Sequence, residues 1–347
     1  MAGCADAHSS GVPAEYLQMP GPQHQNDQSV QYGIEMPPPD LTVIIISYNT
    51  RDLTLAALRT LHTTTTVTAF HTVVLDNASQ DGSADAVAQA FPQVELIRSA
   101  ENLGFARANN VVAKAARTDW LLLLNPDTEC HAGAVDNLLA FARANPQAGI
   151  WGGRTVFPDG RLNIASCSNR ITPWSVFCLA VGLTAAFPRN ALFDTEAMGG
   201  WQRDTVREVD IVVGCFFLIR RDLWDRLGGF DLRYFMYGED ADLCLRARRL
   251  GFRPMLTPEA EIMHIIGAAS ATKASKRILL TKGRVTLIRD HWSRWLVPLG
   301  IATMWCWCVL RVAVAVLLNL HSSKKSRDRL ALWREMWQQR CNWLKGY

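Results

Sequence analysis

The chain has no C-x-x-C pair and no His/Cys cluster at zinc-ligand spacing, although it carries nine cysteines. That scatter excludes a zinc ribbon or a small disulfide scaffold, and the odd count points to reduced thiols in the cytoplasm. The N-terminus lacks the basic-then-apolar order of a secretory signal. Neither sign of charge dominates, with 36 Lys/Arg against 32 Asp/Glu. The surplus sits at the end, where His321–Tyr347 holds seven basic residues and two acids. So local an excess does not make a nucleic-acid-binding surface, and no nucleic-acid partner is expected. Residues 1–40, rich in Pro, Gln, Gly and Ser with little periodic hydrophobicity, read as a disordered leader that Pro37, Pro38 and Pro39 bring to a stop.

What is present is the material of a core. Hydrophobic residues make up 49% of the chain and charged ones 20%, enough for one large α/β domain with appendages. Leu41–Ser47 (LTVIIIS) is a continuous β-branched run, the pattern of a strand buried on both faces. Further strands are expected at His71–Asp76, Val94–Arg98, Trp120–Asn125, Ile150–Phe157 and Val209–Ile219, with helical spacing between the first four. That alternation predicts a doubly wound, mostly parallel sheet, whose ligands sit beyond the carboxyl ends of the strands. Arg221–Leu227 reads as a short helix, and the apolar stretch Trp174–Phe187 as a core segment or a flap, too short to span a bilayer.

The polar residues fall at the strand ends. Ser47, Tyr48 and Asn49 follow the first strand, Asp76 ends the second, and Asn125-Pro-Asp127 follows the fourth. Each cluster is a turn former, yet all project to one sheet edge. Asp76 can accept from a nucleobase or ribose donor, while Ser79 or Asp81 caps the next helix. Asn102 and Gly104 open another helix, where glycine permits close approach to a ligand. Asp127 is the candidate metal carboxylate, since Mg2+ or Mn2+ on a diphosphate needs hard oxygen ligands. His264 is a lone histidine after a strand, by itself more often packed than ligating. Glu239, Asp240 and Asp242 crowd a helix start behind the aromatic run Tyr234–Tyr237. One turn needs one cap, and a carboxylate there is placed to take a proton from a hydroxyl.

In order along the chain, VIIISYN (43–49), VLDNASQDGS (74–83), NLGFA (102–106), LNPD (124–127), GCFFLIRRD (214–222), GFD (229–231), GEDAD (238–242) and HIIG (264–267) resemble the inverting glycosyltransferases of family two. The resemblance covers roughly residues 41–290 and falls nearest the bacterial rhamnosyltransferase-like branch that builds cell-surface polysaccharide. It implies a GT-A catalytic domain over 41–290. Asp76 would contact the base or ribose, Ser47, Tyr48 and Asn49 would line the same pocket, and Asn102 and Gly104 would lie against the donor. Asp127 would hold Mg2+ or Mn2+ with His264, and Asp240 would be the general base, with Glu239 beside it to cap or orient. Asp242 is expected to pair with Arg246, one helical turn on. Asn125 departs from the family's Asp-x-Asp pattern and takes the place of its first acid. The implied donor is a dTDP- or UDP-sugar, with L-rhamnose from dTDP-rhamnose foremost, and the implied acceptor a polyprenyl-linked or polysaccharide glycan. The alternatives are another donor such as UDP-galactofuranose, or an inactive nucleotide-sugar-binding scaffold. A nucleotidyltransferase ranks low, because Arg51 alone offers a phosphate-grasping charge near the first strand.

Residues 291–347 form an apolar and amphipathic helical appendage. Leu296–Leu320 is long enough for one span but contains Pro298, Arg311 and Asn319. Leu330, Trp333, Trp337, Cys341 and Leu344 then make one apolar stripe on a basic helix. The expectation is membrane association at the cytoplasmic face of the plasma membrane, peripheral or single-span, with a helical hairpin packed on the protein as the alternative.

Overall fold

The structure is a computed structural model that describes residues 39–265, 273–320 and 323–347. The expected leader, apart from residues 39 and 40, lies outside the described residues, as does the end of the HIIG motif. The chain opens with β1 (Leu41–Ser47), α1 (Arg51–Thr64), β2 (Phe70–Asp76), α2 (Ser83–Ala90), β3 (Glu95–Arg98), α3 (Gly104–Ala115) and β4 (Trp120–Leu124). Next come β5 (Thr128–Cys130), α4 (Ala134–Ala144), β6 (Ile150–Val156), β7 (Leu162–Asn163) and β8 (Cys167–Ser168). An insertion holds α5 (Pro173–Val181) and α6 (Leu183–Ala186), followed by β9 (Arg207–Glu208), β10 (Ile211–Val212), β11 (Phe216–Arg220) and α7 (Arg221–Leu227). The chain continues through α8 (Glu239–Arg249), β12 (Met255–His264), α9 (Lys273–His291), α10 (Val297–Asn319), α11 (Lys324–Gln338) and α12 (Arg340–Lys345).

The main sheet runs β3-β2-β1-β4-β11-β6-β12-β5. β1, β2, β3 and β4 are parallel, β6 is parallel to β12, and β11 lies antiparallel between β4 and β6. This is the doubly wound, mostly parallel sheet that the alternation predicts. β1 shows why its run is apolar throughout. Val43 and Ile45 enter the core beneath α1 and α4, with Leu58, Leu61 and Leu138. Ile44 and Ile46 face the opposite core with Val112, Leu243 and Ala247 of α3 and α8. A period of two thus feeds both layers of helices.

Two expectations are corrected. Val209–Ile219 is not one strand: Ile211 and Val212 pair with Ser168 and Cys167 in a separate small sheet, and only Phe216 onward enters the main one. The break at Gly214 and Cys215 turns the Gly214 N–H out of the ladder and toward α8, where Asp240 accepts it. The stripe from Leu330 to Leu344 is likewise not one helix, because the chain breaks between α11 and α12 at Gln339. Leu330, Trp333, Met336 and Trp343 are buried, while Cys341 is exposed. That buried face packs against Met304, Trp307, Cys308 and Ala315 of α10. The stripe is therefore occupied by protein, as the hairpin alternative has it.

Candidate active site

The candidate residues gather at the edge where β1, β2, β4, β6 and β12 end and β11 begins. At the β2 end, Asp76 is 4% exposed. Its Oδ2 accepts from the Ser79 N–H at 3.0 Å, and its buried Oδ1 has no partner. A buried carboxylate oxygen left in that state is poised for a ligand donor. Asn49, held at φ 52°, accepts from Gln80 N–H at 2.8 Å, and its own N–H donates to Ser79 Oγ at 3.0 Å. Tyr48 beside it is exposed. Asp81, expected to cap α2, accepts from Ser83 N–H at 3.0 Å and from Arg51 N–H at 3.0 Å, joining the starts of two helices. Ser47 is a correction: its hydroxyl is buried among Thr50 and Thr54, at 3.2 and 3.0 Å, so its side chain braces α1 and does not line a pocket.

Asn77 is a residue the sequence reading missed. Its Nδ2 donates to Asn102 Oδ1 at 3.0 Å and its Oδ1 accepts from Leu103 N–H at 2.7 Å, clamping the NLG turn to the β2 end. Asn102 Oδ1 also accepts from Gly104 N–H at 2.9 Å. Gly104 sits at φ +74°, and a Cβ there would lie 2.6 Å from the Phe235 carbonyl oxygen. The close approach has a purpose, since the next N–H, on Phe105, donates to that carbonyl at 3.1 Å. The turn beside Asp76 is thus stitched to the aromatic loop that leads into α8. Gly104→Ala combines an unfavourable φ with a backbone clash and is expected to cost about 1–3 kcal/mol. Urea unfolding midpoints measure it.

The other half of the site is built across Gly214 and Cys215. Asp240 Oδ2 accepts from Gly214 N–H at 2.9 Å and Oδ1 from Ala241 N–H at 2.7 Å. On the far side, Cys215 O accepts from Asn125 N–H at 3.1 Å. The chain then passes through Asn125–Asp127 to β5, on the far side of β11, β6 and β12 in the strand order, where Thr128 pairs with His264. Asp127 Oδ1 lies 3.2 Å from His264 Nε2, and Asp127 O accepts from Ile265 N–H at 2.9 Å. One two-residue bridge thus joins the acid of α8 to the Asp127–His264 pair, although more than a hundred residues of sequence separate the two acids.

Burial opposes the charged form of His264, but Cys215 and Asp127 outweigh it and lift its pKa to about 10. The place attracts positive charge. A separation of 3.2 Å between the two donor atoms suits neighbouring ligands of one ion with bonds of about 2.1 Å. His264 Nδ1 is buried without a partner. No third His, Cys, Asp or Glu joins them among the described residues. The pair fits Mg2+ or Mn2+ that draws its remaining ligands from a diphosphate and water, as such ions do.

Asp242 is structural, as expected, with Arg246 Nε at 2.7 Å; His291 Nε2 lies at 2.8 Å from its other oxygen. Glu239 is different. It is 4% exposed, and its Oε2 has no partner. Burial first, and the Asp240 charge second, push its pKa up to about 8. Asp240 is also raised by burial, against the two N–H bonds that favour its charged form. The two N–H bonds that Asp240 accepts, and the unpartnered Oε2 of Glu239, favour charge on Asp240 over charge on Glu239. An unfolded glutamate loses its proton near 4.5, so between there and about pH 8 the folded state binds more protons. Stability should fall as pH rises through that window and level off above it. Glu239→Gln is expected to flatten that part of the slope in urea midpoints taken between about pH 5 and 8.

Tyr347 was also missed by sequence reasoning. Its hydroxyl donates to Met236 O at 2.6 Å and its ring lies 5.2 Å from that of Tyr234, so α12 ends by bracing the loop before Glu239.

The model of "Glycosyl transferase family 2" matches residues 42–228, more than half of the chain. The chain belongs to glycosyl transferase family 2. Among curated relatives of this family-two chain, an N-acetylglucosaminyl-diphospho-decaprenol L-rhamnosyltransferase of Mycobacterium tuberculosis is 31% identical over 203 residues, 55% of this chain and 65% of that protein. Rhamnosyltransferase WbbL of Escherichia coli is 29% identical over 174 residues, 46% of this chain and 60% of that one. The chain thus spans somewhat under two thirds of the length of these relatives. A mannosyltransferase from Pyrobaculum calidifontis, solved in complex with GDP-Man and Mn2+, superposes with a TM-score of 0.52 at 19% identity, covering 86% of this chain and 85% of that one. That likeness shows the GT-A fold.

Proposed function

We propose that this family-two protein is an inverting glycosyltransferase that moves a sugar from a nucleoside diphosphate to an acceptor hydroxyl in cell-surface glycan synthesis. The observation that carries the reading is the Gly214–Cys215 bridge, with Asp240 bound on one side and the Asp127–His264 pair adjoining the other. Asp76, with its unpartnered Oδ1, holds the base or ribose, and Asn49, Tyr48, Asn102 and Gly104 frame the same end. Asp240 takes the proton of the acceptor hydroxyl as its oxygen attacks the anomeric carbon. The bond from that carbon to the diphosphate oxygen breaks on the opposite face, so configuration inverts and the nucleoside diphosphate leaves. A divalent ion, held by Asp127 and His264, would stabilise the charge gathering on the leaving phosphate. Glu239, protonated, keeps a second negative charge away from the base.

The rhamnosyltransferase relatives favour dTDP-rhamnose as donor, and the decaprenol in one relative's name favours a polyprenyl-linked acceptor. Residues 41–290 are then the catalytic domain and 291–347 its membrane-associating appendage at the cytoplasmic face, peripheral or single-span. Asn125, in place of an acid, is the observation on the side of an inactive nucleotide-sugar-binding protein. One experiment decides. Full-length protein with Mn2+ is offered a panel of dTDP-, UDP- and GDP-sugars with a polyprenyl-linked acceptor, and the anomeric configuration of the product is read by NMR. Inverted product supports the proposal. Retained configuration, or donor binding without turnover on every sugar, rejects it.

A further inference from the structure

α10 has the length and hydropathy to cross a bilayer, 23 residues whose most apolar 18-residue stretch has a mean hydropathy of 2.1. Its neighbours do not allow the crossing. α11 folds back along it: Ser326 Oγ donates to Asn319 Oδ1 at 3.3 Å, the Trp333 ring meets Trp307 edge-on at 5.0 Å, and Trp337 lies 6.0 Å from Trp305. The outer face of α11 exposes Lys324, Lys325, Asp328, Arg329, Arg334 and Glu335. Were α10 to span, those charges would be drawn into hydrocarbon beside it, which is costly for each. Arg311, midway along α10, turns inward and donates to Leu179 O at 3.0 Å, in the last turn of α5. The negative end of the α5 dipole meets its charge there.

The opposite face of α10 is apolar except at Thr303, whose hydroxyl donates to Leu299 O at 2.8 Å. Leu299, Cys306, Leu310, Ala313, Leu317 and Leu320 recur at steps of seven, four, three, four and three, and all are exposed. Helical spacing of this kind makes a single stripe. α5 adds Trp174, Phe177 and Val181, which are 41%, 45% and 48% exposed. At the start of α10, Trp295 is 76% exposed, with the Arg294 guanidinium 4.6 Å from its ring centre. An aromatic ring and a cation so paired suit a headgroup layer.

We infer that α10 lies in the plane of an anionic membrane, its apolar stripe and the outer face of α5 sunk to the acyl boundary, with Arg294, Lys324 and Lys325 at the lipid phosphates. Arg294 before α10 and Lys324 and Lys325 after it put a cation at each end of the stripe, which favours anionic lipid over a second copy of the chain. The inference rests on the membrane-association reading above and reduces its two forms to one.

The test uses full-length protein and vesicles of phosphatidylcholine with or without phosphatidylglycerol. Flotation should be at least about tenfold greater with the anionic vesicles. The double substitution Leu310→Glu, Leu317→Glu should abolish it and leave donor hydrolysis unchanged. With Cys4, Cys306 and Cys341 replaced by alanine, Ser293→Cys and Lys325→Cys mark the two ends of α10. Both should react with an impermeant maleimide added outside sealed vesicles. Protection of one end means a span and overturns the inference. Failure to float on any vesicle overturns it too, in favour of a self-interface where light scattering gives a dimer. Transfer to a water-soluble acceptor analogue, measured on the same sample, keeps a failure to dock distinct from a failure of the enzyme.

Discussion

Asp240→Asn is expected to lower glycosyl transfer by about 10³-fold while leaving nucleotide-sugar binding within about a factor of two, because general-base catalysis is worth about 10²–10⁴. Asparagine is close in shape but cannot take the hydroxyl proton. It also cannot accept both N–H bonds that the carboxylate accepts, from Gly214 and Ala241. One donor is then left facing an amide N–H, at about 1–3 kcal/mol of stability. Thermal unfolding must therefore accompany the rate, so that lost chemistry is not confused with lost protein. Burial that raises the Asp240 pKa also makes it a stronger base at neutral pH than a solvated aspartate. Glu239→Gln separates the two acids. If the proton resides on Glu239, the amide replaces a neutral group and transfer should fall by less than about tenfold. Turnover of Asp240→Asn near the wild-type level, with loss in Glu239→Gln, would move the base one residue back.

Much of this arrangement is legible in the sequence, and the reasons are local. Leu41–Ser47 can only be a doubly buried strand, and Gly, Asn and Asp at strand ends can only turn. Register and long-range closure are another matter. In Val209–Ile219 the apolar run continues on both sides of Gly214, and the glycine alone does not decide that the strand breaks there. Yet that break supplies the N–H that holds Asp240. Asn77 was passed over because an asparagine after a strand reads as a turn former. Its clamp on Asn102 and Leu103 depends on two distant turns meeting. An Asx residue at the end of a parallel strand was the available signal. Tyr347 had no local signal at all. Its partners, Met236 and Tyr234, come from the loop before α8. In the appendage, the apolar stripe from Leu330 on reads first as a face laid on lipid. Sequence does not say whether lipid or protein covers such a face, and α10 does so here.

Asp127→Ala, or removal of divalent metal by EDTA, is expected to lower transfer by about 10²–10³-fold, since a Lewis acid on a leaving phosphate supplies several kcal/mol and each 1.4 kcal/mol is tenfold. The larger consequence concerns affinity. Among the described residues only Asp127 and His264 face an ion here, with Asn125 where the family pattern has an acid. Two protein donors bind Mn2+ weakly, with a dissociation constant on the order of millimolar, until a diphosphate adds its oxygens. Calorimetry should show Mn2+ binding tightened at least about tenfold by a nucleoside diphosphate. Linkage then requires Mn2+ to tighten the nucleotide by the same factor. His264→Ala should weaken both titrations together. Asn125→Asp should strengthen Mn2+ binding in the absence of nucleotide and reduce the coupling, because the protein would then supply a ligand that the diphosphate otherwise provides. Tight Mn2+ binding to the unliganded wild type would mean that donors beyond this pair reach the ion. Full activity after EDTA would leave the work of charge stabilisation to His264 as an imidazolium, which its raised pKa permits. Asp127 would then serve to hold that cation in place.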